Sequence, residues 1–141
     1  MSRTMPLPAP IDSATIRPVR SHDDVAAAIA WIETTRPSIT VDTETGGLDY
    51  QAEVRLVQFG DHQVAWVADP HRWPEVIHRL AEVSTPLVAH NAPFDMLHVA
   101  RFLDADNVVG EVASLMERTT DTAILAHLVD PRDSRDGGIG H

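Results

Sequence analysis

The segment Val41-Asp42-Thr43-Glu44-Thr45-Gly46-Gly47-Leu48-Asp49 constrains the fold most. A short apolar run, Ile39 to Val41, delivers two carboxylates one residue apart and then breaks at a glycine pair. Along a strand, residues two apart face the same side. Asp42 and Glu44 therefore point together from one face of a sheet, where an apolar strand becomes an exposed turn. Two like charges held side by side call for a neutralising cation, which marks them as a candidate divalent-metal site. A lone Asp-x-Glu after a strand is also common as plain surface. What separates the readings is a second acidic segment, His90-Asn91-Ala92-Pro93-Phe94-Asp95, after another apolar run, Leu87 to Ala89.

Composition narrows the chemistry. With 141 residues, 43% of them hydrophobic, the chain fits one globular domain or most of one. No apolar run reaches the ~18 residues that span a bilayer, and Met1 to Pro10 lacks the apolar block of a signal peptide. A soluble, cytoplasmic protein with no membrane partner is expected. The absence of cysteine leaves oxygen and imidazole as metal ligands, which favours Mg²⁺ or Mn²⁺. A net charge of −10 argues against a broad basic surface that grips duplex DNA. Among Lys and Arg, only Arg occurs, as coding bias in a high-GC genome would produce. An acidic chain can still act on nucleic acid when bound cations neutralise its carboxylates.

Residues 1–15 read as a flexible lead-in rich in Pro and small residues. Ser21 suits the cap of a helix with Val25, Ile29 and Ile32 on its apolar face, ending before Pro37. Strands are expected at Ile39–Asp42, Val54–Phe59 and Val64–Val67, with Asp61-His62 as a hairpin turn. A helix from Pro74 to about Val83 precedes a strand at Leu87–Ala89. Asn91 then suits the cap of a helix starting near Pro93, with Phe94, Leu97 and Phe102 inward and Asp95 near its N-terminal end. Val108-Val109 reads as a short strand. Thr120 or Asp121 opens a last helix with Ile124, Leu125 and Leu128 apolar, and Pro131 to His141 reads as loop. A mixed α/β sheet flanked by helices is the expected architecture.

If Asp42, Glu44 and Asp95 converge, they offer the scaffold that two divalent cations ~4 Å apart require for phosphodiester hydrolysis. His90 and His98 flank Asp95, but no zinc-ligand spacing such as His-Glu-x-x-His occurs.

VDTETGGLD and HNAPFD resemble, in order and spacing, the first two motifs of the DnaQ-like 3′-to-5′ exonucleases, which have the ribonuclease H-like fold. VRLVQFG and DTAILAHL resemble the strand and helix shared by ribonuclease D and the proofreading domains of DNA polymerase I. The resemblance spans about residues 20 to 141, and residues 16–141 are read as a partial exonuclease domain. It implies that Asp42 bridges two metal ions, that Glu44 binds the ion holding the attacking water, and that Asp95 binds the second. It further implies that Leu48 packs on the terminal base and Asn91 contacts the terminal nucleotide. A turn residue covering the core and a plain helix cap remain the respective alternatives. Thr43 is read as offering its backbone N–H to the substrate 3′ end, Asp121 as a helix cap or support for the site, and Phe94 as core.

The family's third motif, a Tyr or His a few residues before a final metal-binding Asp, finds no match before His141, and Asp130, Asp133 and Asp136 stand in no such context. The sequence-based expectation is a domain lacking its C-terminal helices, weakly active or inactive as this chain. Its substrate would be a single-stranded DNA 3′ end, with a polymerase domain in cis or trans. A noncatalytic binding or replication-assembly module and an RNA-processing exonuclease are the alternatives.

Overall fold

The computed structural model describes residues 14–130; the expected lead-in and the loop from Pro131 lie largely or wholly outside them. The described elements run β1 (Thr15–Pro18), α1 (His22–Glu33), β2 (Ile39–Thr45), β3 (Val54–Gly60), β4 (Val64–Ala68), α2 (Pro74–Glu82), β5 (Leu87–Ala89), α3 (Ala92–Leu103), α4 (Val108–Glu117), β6 (Thr119–Asp121) and α5 (Thr122–Val129). The six strands form one mixed sheet in the order β1-β4-β3-β2-β5-β6. Strands β2, β3 and β4 form an antiparallel meander, while β5 and β6 join the far side of β2 in parallel.

Strand β2 alternates as expected: Ile39, Val41 and Thr43 are buried, and Thr40, Asp42 and Glu44 are exposed. It runs on to Thr45, past the expected end at Asp42, because pairing with β3 continues as far as Thr45 opposite Val54. The β3–β4 hairpin turns where expected. The Asp61 carboxylate accepts from Gln63 N and Val64 N, and a Cβ on Gly60 would lie 2.1 Å from the Val64 carbonyl oxygen, an approach only glycine allows. Phe59 and Trp66 stack at 6.5 Å between centroids in the core. Ser21 caps α1 by accepting from Asp24 N.

Several expectations are corrected. Val108-Val109 opens helix α4 instead of forming a strand. Val108, Val112, Leu115 and Met116 recur at helical spacing and pack on the core, and this periodicity outweighs the strand preference of two β-branched residues. Strands β1 and β6 were not anticipated; both are short, and β6 draws its hydrogen bonds from β5 rather than from any alternation of its own. Phe94 and Leu97 are only half-buried. The inward face of α3 is instead Asp95, Met96, His98, Val99 and Ala100.

Candidate active site

The parallel strands β2, β5 and β6 all end at one side of the sheet, where a crevice in such folds commonly receives ligand. β5 pairs with β2 only at Ile39 and Thr40, so the stretch from Asp42 to Thr45 extends beyond it with one edge unpaired. The chain leaving β5 turns at His90 and Asn91 into α3, which brings Asp95 to that edge. There Asp95 Oδ1 accepts from Thr43 N at 3.0 Å and from the Thr43 hydroxyl at 2.5 Å, replacing the carbonyl a longer β5 would have supplied. The expected free Thr43 N–H is therefore engaged by Asp95 rather than open to a substrate. Both bonds land on Oδ1, so Oδ2 takes neither.

Asp95 is 3% exposed, and burial pushes its carboxyl above the usual aspartate range. The Thr43 hydroxyl pulls it down, while the nearby Asp42 charge pushes it up again. Asp42 and Asp95 thus lie within electrostatic reach of one another. Glu44 shares the exposed side of β2 with Asp42. Among the described residues, no three acidic or imidazole side chains are gathered closely enough to hold an ion as they stand. The donor set nonetheless fits a hard divalent cation: carboxylate oxygens only, with one of them buried beside a like charge.

Asn91 occupies the N-cap position of α3 with φ 62°, a left-handed conformation that asparagine tolerates. Its side chain makes no capping bond, so the expected plain helix cap is not what this residue provides. The carboxylate that satisfies the helix start belongs to Asp121: Oδ1 accepts from Asn91 N at 3.0 Å, and Oδ2 from Ala92 N at 3.0 Å. Asp121 Oδ1 also accepts from Ala123 N at 2.8 Å, capping α5. One buried side chain, at the end of β6, thereby fixes the turn that orients both Asn91 and Asp95. A charged acceptor serves several N–H donors better than a neutral amide, which explains why Asp121 holds this post.

Leu48 is 94% exposed in the loop between β2 and β3, so it does not cover the core. Helix α3 holds that loop from behind: His98 Nε2 approaches Asp49 O at 3.3 Å, and Arg101 Nη1 donates to Tyr50 O. The other His98 ring nitrogen, Nδ1, lies 2.8 Å from Phe94 O. Both His98 nitrogens thus face carbonyl oxygens, while His90 Nδ1 meets the Thr122 hydroxyl. Sequence reasoning missed this tether. Its only trace is the three-residue spacing of Asp95, His98 and Arg101 along one helix, and the backbone carbonyls it targets leave no sequence signature.

The 3′-5′ exonuclease family matches residues 16–136. The DNA polymerase of Mycobacterium phage D29 is 35% identical over 137 residues, covering 92% of this chain and 22% of the relative. That of Mycobacterium phage L5 is 36% identical over 138 residues, again covering 92% and 22%. The chain thus spans about a fifth of the length of these relatives. Among solved structures, Escherichia coli RNase D, described as an exoribonuclease involved in structured RNA processing, aligns with a TM-score of 0.60 at 22% identity, covering 84% of this chain and 30% of that one. The EXO domain of Aedes aegypti Nibbler aligns with a TM-score of 0.56 at 17% identity, covering 84% and 58%. At these identities the solved structures establish a shared fold. Among the described residues no helix is long and apolar enough to cross a membrane.

Proposed function

The chain belongs to the 3′-5′ exonuclease family, and from that premise we propose that it hydrolyses the terminal phosphodiester of a single-stranded DNA 3′ end, as the proofreading domain of a phage-type DNA polymerase. Water adds to phosphorus, the P–O3′ bond breaks, and a nucleoside 5′-monophosphate leaves as the shortened strand takes a proton on its new 3′ oxygen. The observation that carries this reading is the placement of a buried Asp95 against the edge of the strand that presents Asp42 and Glu44. Two Mg²⁺ or Mn²⁺ ions held by Asp42, Glu44 and Asp95 would neutralise developing charge on phosphorus and acidify the attacking water.

The chain's own residues do the positioning. Asp42 supplies a carboxylate within reach of Asp95, in the role of the shared ligand, and Glu44 extends the same exposed row toward the loop. The exposed Leu48 would offer an apolar surface to the terminal base, and the amide of Asn91, which makes no capping bond, would contact the terminal nucleotide. Thr43 serves chiefly by holding Asp95 in place. The likeness to phage polymerases favours DNA as substrate and a polymerase domain as partner.

The test is cleavage of 5′-labelled single-stranded DNA and RNA oligonucleotides with Mg²⁺ or Mn²⁺. At most slow DNA shortening from the 3′ end is expected of this chain. Asp42→Ala should abolish it, since losing a shared ligand removes several kcal/mol of transition-state stabilisation. Preference for RNA would transfer the reading to RNA processing, and cleavage indifferent to Asp42→Ala would refute the assignment of the site.

A further inference from the structure

We propose that Arg55 is a phosphate-binding residue for the nucleic-acid strand, placed on the carboxylate side of the sheet by a break in strand register; this rests on the exonuclease reading above. Glu44 pairs with Leu56 and Thr45 pairs with Val54, so Arg55 is an extra residue in β3 opposite a single peptide of β2. Strict alternation from the buried Val57 would turn Arg55 into the core and Val54 outward. Instead Val54 is buried and Arg55 exposed, the re-aiming that a β-bulge produces.

The direction of the side chain follows from its neighbour. A Cβ built on Gly46 would lie 3.5 Å from Arg55 Nε and 3.7 Å from Nη2, so the guanidinium rests over Gly46, two residues beyond Glu44. Gly46 N donates to Glu53 O at 2.9 Å, which continues the ladder and keeps this stretch in line with the carboxylate-bearing strand. The guanidinium borders an open hollow of about 340 Å³ shared with Gly46, Gly47, Asp49 and Glu53. Among the described residues it enters no hydrogen bond or salt bridge, whereas Arg36, Arg79, Arg101 and Arg118 are all engaged.

A strand of phosphodiesters approaching this crevice meets Asp42, Glu44, Asp49 and Glu53, all repulsive, on a chain of net charge −10. An uncommitted guanidinium with its fork turned to solvent is the group that offsets this repulsion and holds a phosphate by paired charge-assisted hydrogen bonds. The terminal nucleotide belongs to the carboxylates and Leu48, so the phosphate at Arg55 is one upstream of the scissile bond.

The experiment is fluorescence anisotropy of a labelled single-stranded DNA oligonucleotide with Ca²⁺ in place of Mg²⁺, repeated over a range of salt. It compares the unmodified chain, Arg55→Gln and Arg55→Lys. Arg55→Gln is expected to weaken binding on the order of tenfold. The slope of log affinity against log salt should also fall in magnitude by about 0.7, one phosphate contact on a single strand. Arg55→Lys should keep the slope while losing part of the affinity. An unchanged slope in Arg55→Gln overturns the proposal and leaves Arg55 as a counter-charge for Glu44. If the unmodified chain meanwhile shortens DNA in an Asp42-dependent way, the exonuclease reading stands without it. Absence of both binding and cleavage overturns both.

Discussion

Helices α3 and α5 leave the ends of adjacent parallel strands, share the carboxylate of Asp121 at their starts, and use it to opposite ends. Helix α3 turns polar groups inward: Asp95 and His98 are buried, and each meets a specific partner on the β2 strand or its loop. Helix α5 turns apolar groups outward: Ile124, Leu125, Leu128 and Val129 are exposed, and of its residues only Ala123 is buried. Burying a carboxylate is costly and persists where function or a bound cation compensates for it. Exposing an apolar helix face wastes hydrophobic stabilisation unless another surface covers it. The contrast thus separates a helix that turns polar groups inward from one that turns apolar groups outward.

Asp121 is the point at which the two helices can be uncoupled, and its removal should have the largest effect on the fold. Asp121→Ala leaves the N–H groups of Asn91, Ala92 and Ala123 without their acceptor, those of Ala92 and Ala123 in buried bonds. A loss of about 3 kcal/mol is expected, read as a lowered denaturant midpoint at unchanged slope. If α3 and α5 were independent, the loss would stay near the ~1 kcal/mol of a single helix cap. Asp121→Asn should fall between these, since an amide has one acceptor oxygen to share among three donors.

The charge buried on α3 gives a prediction of sign. The Asp95 carboxyl is raised in the folded state, so between the ordinary aspartate pKa and the raised one the native protein holds a proton that the unfolded chain has released. Stability contributed by this group is therefore greatest in acid and falls as pH rises through that window. In metal-free buffer, the melting temperature of the unmodified chain should drop relative to Asp95→Asn as pH increases from acid toward neutral. Adding Mn²⁺ at neutral pH should restore it, and should do nothing for Asp95→Asn. Parallel pH profiles for the two proteins would show that Asp95 is not held at a cost, and the distinction between the two helices would lose its basis.

Much of this was legible because it is written in local pattern. The alternation through Ile39, Val41 and Thr43 set the outward face of Asp42 and Glu44; Ser21 marked one helix start by its capping hydroxyl and Pro74 another by its fixed φ at the first position. What was not legible depends on partners far along the chain. The Thr43–Asp95 bond joins residues 52 apart, and the Asp121–Asn91 bond joins residues 30 apart. Arg55 emerges only from comparison of register on two strands. Periodicity reports which side chains share a face, but packing decides which way the face turns. That is why Phe94 was expected in the core and lies half-buried against the His98 ring at 4.4 Å between centroids.

The smallest expected effect tests the outward face of α5. Leu128 is 75% exposed, so Leu128→Gln removes little buried area and keeps a good helix former. Its stability should change by no more than about 0.5 kcal/mol, as for surface positions generally. The same substitution in a core helix removes a buried side chain and inserts an amide without partners, at a cost of several kcal/mol. A large loss for Leu128→Gln would therefore mean that this face is covered within the chain itself. A small loss leaves it as apolar surface beside the hollow of about 330 Å³ that Ile124 and Leu128 share with Asn91 and Asp121.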